Sequence, residues 1–326
     1  MHRARAEKNR HNGSDMANPS ARPNEVAIEL NAVLVALIDE TPQVLTLQDG
    51  ALLPSGPFEG DHPTLQTGLR AWVERQTHHP LGYVEQLYTF ADRNRAAAGS
   101  GWRIVSISYL GLTRERTQAG QREPGWQSWY RYFPWEDWRA GPPKLLAREI
   151  LPRLGKWIHE ARDPAARRER RQRVDSHFAE AAWNEELVLQ RYELLYEAGL
   201  VPEAGRPRKP VTDPIPGEPM RYDHRRILAT GIARLRAKIK YRPVVFELMP
   251  PDFTLGQLQR AVEALAGRGL HKQNFRRLVD QQGLVEETGA VSAETGGRPA
   301  KLYRFRREIL LERALAGTKL PLARSA

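Results

Sequence analysis

The chain has 326 residues and no cysteine. That excludes a disulfide framework, a Cys-based zinc site, an iron–sulfur cluster and any thiol nucleophile. Long apolar runs are missing as well. The most apolar stretch, residues 27–38, contains Glu29 and falls well short of the roughly 20 residues that span a bilayer. Residues 1–23 are polar and basic and lack the apolar core of a secretory signal. The expected compartment is the cytoplasm, with no membrane partner. Acidic residues are too few to balance the basic ones, leaving a net charge of +11. Residues 1–220 hold 29 Lys+Arg and 29 Asp+Glu, whereas residues 221–326 hold 21 and 10, so the whole excess lies in the last third. A neutral region joined to a basic one points to a polyanion partner, most simply nucleic acid. The alternative is a solvated basic surface.

What is present sorts into four stretches. Residues 1–24 read as a flexible tail. Residues 25–160 read as a mixed α/β domain. In it, 26–38 is one long buried strand and 43–47 its hairpin partner. Residues 64–76 form a helix, with Leu65, Leu69, Trp72 and Val73 at i, i+4, i+7 and i+8. Residues 84–90 and 103–112 are further strands, the second alternating Val105, Ile107 and Tyr109 with Ser106 and Ser108. This order predicts a mixed layer, not a doubly wound repeat. An aromatic cluster over 125–138 holds four of the eight tryptophans. It is expected in a core or dimer contact, with base stacking as the alternative. Residues 144–161 are an amphipathic helix. Residues 161–220 read as a helical segment and linker. One helix is expected from Asp163-Pro164 through the basic run Arg167–Arg173 to Gly199, and a Pro- and Gly-rich linker over 201–219.

Residues 221–326 have the plan of a winged helix-turn-helix. Helix 225–239 buries Ile227, Leu228, Ile232 and Leu235. Thr254 caps a second helix that stops at Gly267. A tight turn leads to helix 271–282, ended by Gly283, and strands 284–287 and 302–305 flank a Gly- and Ala-rich loop. At 100° per residue, Phe275, Leu278 and Val279 of the last helix face inward. Gln273, Arg277 and Asp280 face outward, flanked by Asn274 and Arg276, with Lys272 in the first turn. Gln and Asn pair with adenine and Arg with guanine, so Gln273 and Asn274 are candidate base contacts. Arg276 and Arg277 suit bases or phosphates, and Arg298 and Lys301 in the loop suit phosphates or the minor groove. With Lys272 and Thr254 they complete the candidate DNA-contact set. The competing expectation is a protein-interaction or RNA-binding module.

Residues 56–77 resemble a Nudix box in spacing. Gly56, Arg70 and Glu74 stand at box positions, but His62, Ala71, Arg75 and Thr77 replace its remaining carboxylates and closing glycine. One carboxylate is left of a set that holds Mg²⁺ against a diphosphate. Residues 83–90 (Tyr83-Val-Glu-Gln-Leu-Tyr-Thr-Phe90), Asp92, Arg93, Arg95 and 103–109 resemble the Nudix-related regulators of NAD metabolism. So do Asp223-His224, Ile227-Leu228, Arg234-Leu235, Lys238, Tyr241, Phe253-Thr-Leu255, Leu258-Gln259, Asn274-Phe-Arg-Arg277 and Gly297-Arg-Pro-Ala-Lys-Leu-Tyr-Arg304. The pattern is that of the NrtR-type proteins and, with the 113–220 insertion, of their alphaproteobacterial NadQ-type branch. One departure is His271 at the head of the recognition helix, where the family often has an acidic cap.

The resemblance implies a fold of α/β plus α+β class: a Nudix-like mixed α/β domain, a helical middle segment and a C-terminal winged helix-turn-helix. It implies a homodimeric, nucleoid-associated repressor of NAD biosynthesis genes on a palindromic double-stranded DNA operator. Its Nudix-like domain would sense an adenine nucleotide (NAD, ADP-ribose or ATP) without catalysis, required cofactor or metal. Arg70, Glu74, Glu85, Phe90, Arg93 and Arg103 are the candidate effector contacts. Arg70 and Glu74, at i and i+4, are equally placed to pair with each other. The alternative function is an active Nudix hydrolase of ADP-ribose- or NAD-type diphosphates.

Overall fold

A computed structural model describes residues 26–78, 81–91, 103–114, 125–205, 210–292 and 299–308. Its centre is β1, Val26–Ile38, whose interior is fully buried. β1 turns back at Asp39 and Glu40, both with positive φ, into β2, Thr41–Leu45. Both halves of β1 are paired on that side, because β3, Ser55–Pro57, runs antiparallel to its first half. On the other side lies β5, Arg103–Leu112, parallel to β1, and beyond it β4, Tyr83–Phe90, antiparallel to β5. With β6, Trp126–Ser128, the order is β4-β5-β1-β2-β6, a mixed sheet as expected.

Strand alternation splits the sheet into two apolar faces. Leu30, Ala32, Leu34 and Ala36 pack with Leu69 and Val73 of α1, Leu65–Thr77. Thr64 caps α1 through the Thr67 N–H, as Thr's short hydroxyl side chain favours. The opposite face, with Val33 and Val35, lies under α6, His224–Ile239. Gly231 allows that approach, since a Cβ there would stand 2.8 Å from Val33 Cγ1. Thus α6, expected at the head of the C-terminal part, lies across the sheet, and only its last turns reach toward the winged helix.

The aromatic cluster is core. Trp129, Trp135, Phe133 and Tyr132 are at most 1% exposed and share one cluster with α6. Trp129 and Tyr132 belong to the short helix α2, Trp129–Tyr132. A π turn leads into α3, Leu151–His159. The single helix expected over 164–199 is two: α4, Pro164–Phe178, and α5, Val188–Glu197. At the break the buried Arg191 guanidinium donates to the His177 and Asn184 carbonyls, at 3.3 and 3.0 Å, the second also accepting from the Leu187 N–H. Much of the basic run is solvated, but Arg170 lies 4.2 Å from the centre of the Trp157 ring and Arg173 pairs with Glu197. The expected linker is pinned in part. Val201 and Ile215 are buried, and the Ile215 and Glu218 N–H groups bond to Leu200 and Arg131 carbonyls.

The C-terminal part is β7, Asp252–Thr254, α7, Leu255–Ala266, α8, Lys272–Gln282, β8, Val285–Ser292, and β9, Ala300–Phe305. The three strands form one antiparallel sheet in the order β7-β9-β8. Phe246 stacks on Phe305 at 4.3 Å and ties this sheet to the chain leaving α6. No helix among the described residues is long and apolar enough to cross a membrane.

Candidate nucleic-acid interface and effector site

The turn that presents α8 is fixed from within. α7 starts with a capping box in which Thr254 Oγ1 accepts from the Gln257 N–H and Gln257 Oε1 accepts from the Thr254 N–H. It ends at Gly267, whose φ of +74° and contact with the Glu136 carbonyl leave no room for a Cβ. Glu263 then accepts from the Leu270 N–H at 2.8 Å, and Gln259 donates to the Leu270 carbonyl at 3.0 Å. His271 heads α8 and makes no side-chain cap. The first N–H groups of α8 therefore face outward without a side-chain acceptor, an arrangement suited to phosphate.

Lys272, Gln273, Asn274, Arg276 and Arg277 are all exposed along α8. Among the described residues no hydrogen bond or ion pair engages their side chains. Unspent donors and cations in one exposed row are what a nucleic-acid reader needs. Two expectations change. Thr254 is 5% exposed with its hydroxyl in the cap, so its side chain supports α7 and is not on the surface. Leu278, expected to point inward, is 48% exposed, because α8 seats on α7 mainly through the buried Val279. Lys301 is exposed on β9 but pairs with Glu287 at 2.8 Å, which holds the Glu287 carboxyl below its ordinary range. Arg298 lies outside the described residues.

The sheet separates the candidate effector contacts. Arg70 and Glu74 lie on α1, on one face. Arg70 does not pair with Glu74; its guanidinium caps the Leu81 and Gly82 carbonyls. Glu85 and Phe90 belong to the α6 face. Glu85 accepts from Tyr83 at 2.6 Å and from Arg234 at 3.3 Å, and it also pairs with Lys238. Phe90 is buried, with the Arg226 guanidinium 5.1 Å from its ring centre. Arg93 lies outside the described residues, and only the backbone of Arg103 is described.

Sequence reasoning missed a cleft at the N-terminus of α6. Glu29, Ser106, Tyr222, Asp223, His224 and Ile227 line it, with a volume of about 140 Å³. Ser106 donates to Glu29 at 3.1 Å, and Phe90 is the strand partner of Ser106. His224 Nδ1 accepts from the Leu53 N–H at 2.8 Å. Tyr222 is 60% exposed in a left-handed conformation, φ +55°. Only the polar alternation at Ser106 and the pair Asp223-His224 pointed there.

From that cleft α6 runs to a buried ionic cluster. Glu136 accepts from Arg191 at 2.6 and 2.8 Å and from Arg236 at 2.7 Å, all three residues being at most 1% exposed. Arg236 also donates to the Leu265 carbonyl at 2.9 Å, and Tyr130 to the Ala264 carbonyl at 2.7 Å. Burial works against the Arg236 charge, but Tyr130 and Glu136 outweigh it and hold its pKa above the ordinary value. The cluster joins α6 and the aromatic insertion to the last turn of α7.

The box region keeps its packing and not its carboxylates. Gly56 lies flat on the Trp72 ring, and the Arg75 guanidinium sits 4.6 Å from that ring's centre. A cation here opposes Mg²⁺, so α1 does not fit the metal set of a Nudix hydrolase. In the preceding loop, ligand-type atoms of Glu59, Asp61 and His62 lie within 4.8 Å of one another; the His62 ring is mostly buried and the Glu59 carboxyl more exposed.

Residues 245–305 match the model of the NrtR DNA-binding winged helix domain. Over those residues the chain is a winged helix similar to that DNA-binding domain. The ADPR responsive transcriptional repressor NtrR of Acinetobacter baylyi is 45% identical over 84 residues. That match covers 26% of this chain and 33% of the repressor, so the chain spans about a third of that relative's length. The Shewanella oneidensis NrtR structure aligns with 86% of this chain and 94% of its own, at 19% identity and a TM-score of 0.50. Its complex with a 27mer DNA aligns over 86% and 93%, at 22% identity and a TM-score of 0.48. The fold is therefore a Nudix-like mixed α/β core, a helical middle region and an NrtR-like winged helix.

Proposed function

We propose that the chain is a sequence-specific, nucleotide-responsive repressor of NAD biosynthesis genes, of the NadQ-type branch, acting as a homodimer on a palindromic operator. The observation that carries this is the exposed row Lys272, Gln273, Asn274, Arg276 and Arg277 on α8, unpaired among the described residues, inside a segment that matches a DNA-binding domain. A two-fold dimer places two such helices in successive major grooves.

The effector site in this reading is the cleft at the head of α6. The exposed Tyr222 ring offers a stacking face for adenine, and the Glu29 and Asp223 carboxylates suit ribose hydroxyls. ADP-ribose is the first candidate, because the Acinetobacter repressor is named for its response to it; NAD and ATP share the same groups. A ligand there bears on α6 and, through Arg236, on the carbonyl end of α7 beside the turn that presents α8. The coupling needs only that the two dimer states bind the nucleotide differently.

The Nudix-like domain is proposed to be catalytically silent and to need no cofactor, because Ala71 and Arg75 stand where the helical carboxylates belong. Gel shifts with DNA from the gene's own neighbourhood test DNA recognition. A sequence-specific shift lost on Gln273→Ala with Arg277→Ala is expected, and an unaffected shift refutes it. Robust Mg²⁺- or Mn²⁺-dependent hydrolysis of ADP-ribose, lost on Glu74→Gln, would instead establish the hydrolase reading.

A further inference from the structure

Two carboxylates from the neutral part of the chain stand beside the head of α8. Glu185 and Glu186 belong to the segment just before α5. Glu185 pairs with Lys240 at 2.9 Å and with Arg268 at 3.6 Å, and Glu186 pairs with Lys240 at 2.6 Å. Lys240 directly follows α6, and Arg268 lies in the turn between α7 and α8. Glu185, Lys240, Arg268, His271 and Asn274 line one cleft of about 460 Å³. Asn274 belongs to the reading row, so the cleft flanks the face that meets bases. Arg236, on its wall, is buried against Glu136.

The acidic segment is fixed in place. Arg236 donates to the Glu185 carbonyl at 3.2 Å, and the Glu186 N–H donates to Asn184 Oδ1 at 2.9 Å. Exposure is uneven: the Lys240 and Arg268 side chains are 49% and 54% exposed, the Glu185 side chain 12%. The cations therefore face solvent with a carboxylate behind them. Burial works against the Lys240 charge, but Glu186 and Glu185 outweigh it and hold its pKa above the ordinary value. Sequence-independent DNA affinity comes from cations that phosphates neutralise with release of counterions. A phosphate arriving here meets two cations already matched by two carboxylates, and there is no counterion to release.

We propose that Glu185 and Glu186 act as internal phosphate mimics that silence Lys240 and Arg268 toward the DNA backbone. The inference rests on the DNA-binding reading above. The base contacts of α8 are untouched, so the device lowers affinity for operator and random DNA alike.

The test is anisotropy of the full chain on operator and scrambled duplexes over a range of salt. Glu185→Gln with Glu186→Gln is expected to steepen the salt slope by about 1.8, which is 0.9 for each freed cation, and to tighten both duplexes by about tenfold or more at about 0.15 M salt. Glu160→Gln with Glu197→Gln breaks the partly exposed Lys156 and Arg173 pairs and adds the same charge away from α8; this control is expected to leave the slope unchanged. Adding Lys240→Gln and Arg268→Gln to the first variant leaves the cleft neutral and is expected to restore the wild-type slope. It also keeps the test open if the first variant folds poorly. An unchanged slope or weaker binding in the first variant would overturn the proposal, and so would a fourfold variant with a slope shallower than wild type by about 1.8, since Lys240 and Arg268 would then already contact phosphate. Equal wild-type affinity for both duplexes would refute the repressor reading, while the slopes on the scrambled duplex still decide this one.

Discussion

Glu136→Gln removes the single carboxylate between two buried guanidinium groups. Three hydrogen bonds of 2.6–2.8 Å end on that carboxylate. Arg191 and Arg236 then stay buried without their counter-charge. Removing one partner of a buried ion pair costs about 3–5 kcal/mol. The lower end is approached because neighbours remain: Arg191 keeps the Asn184 carbonyl at 3.0 Å and the Trp183 ring at 3.7 Å. Arg236 keeps the Leu265 and Glu185 carbonyls at 2.9 and 3.2 Å. The upper end is approached because two cations, not one, lose the carboxylate. A loss of about 4 kcal/mol is expected, and at a urea m-value of about 3 kcal/mol/M the midpoint falls by about 1.3 M. Tryptophan emission reports the transition, since Trp129 and Trp135 are fully buried in the core cluster. The control is Glu149→Gln, which breaks the partly exposed Arg153 pair and is expected to cost under about 1 kcal/mol. A Glu136→Gln loss no larger than the control would refute the view that this cluster holds the α6–α7 junction.

Three further outcomes are expected. Gln273→Ala and Arg277→Ala each weaken operator binding by about 1–3 kcal/mol and relax specificity, whereas Lys272→Ala weakens all sequences alike and lowers the salt slope; anisotropy titrations at several salt concentrations separate the two. Gly267→Ala forces a side chain into a positive-φ site against the Glu136 carbonyl, and the thermal midpoint is expected to fall with a loss of more than about 1 kcal/mol. Glu185 is held below its ordinary carboxylate range: burial opposes this, but Lys240 and Arg268 outweigh it. Its stabilisation is complete above its unfolded pKa and fades as pH falls through the lower folded value, so acid titration of Glu185→Gln is expected to show a shallower stability loss than wild type.

Much of the fold was legible because local pattern and burial agree. The apolar run of β1 and the i, i+4 face of α1 each have one buried solution, and the Thr254 and Gly283 termini are set by short-range chemistry. The polar row of α8 was legible for the same reason: six or seven consecutive residues on one helix fix their own faces. Leu278 was misread because periodicity shows which residues share a face, not whether anything packs on that face. The same limit applies to α6, whose apolar stripe is evident but whose partner is the sheet. The break between α4 and α5 depends on Arg191 reaching carbonyls that no local signal links to it. Glu136 and Arg236 are 100 residues apart, and the sheet puts Arg70 and Glu85 on opposite faces, a separation set by strand pairing across the whole domain.

The most direct test of the account is a titration of the full chain onto a fluorescent operator duplex and a scrambled duplex, with and without ADP-ribose, NAD or ATP. The account predicts operator binding about a thousandfold or more tighter than to the scrambled duplex, and a shift in that affinity by one of the nucleotides that Tyr222→Ala removes while leaving nucleotide-free binding intact. Equal affinity for both duplexes, or operator binding that no adenine nucleotide alters, would contradict it.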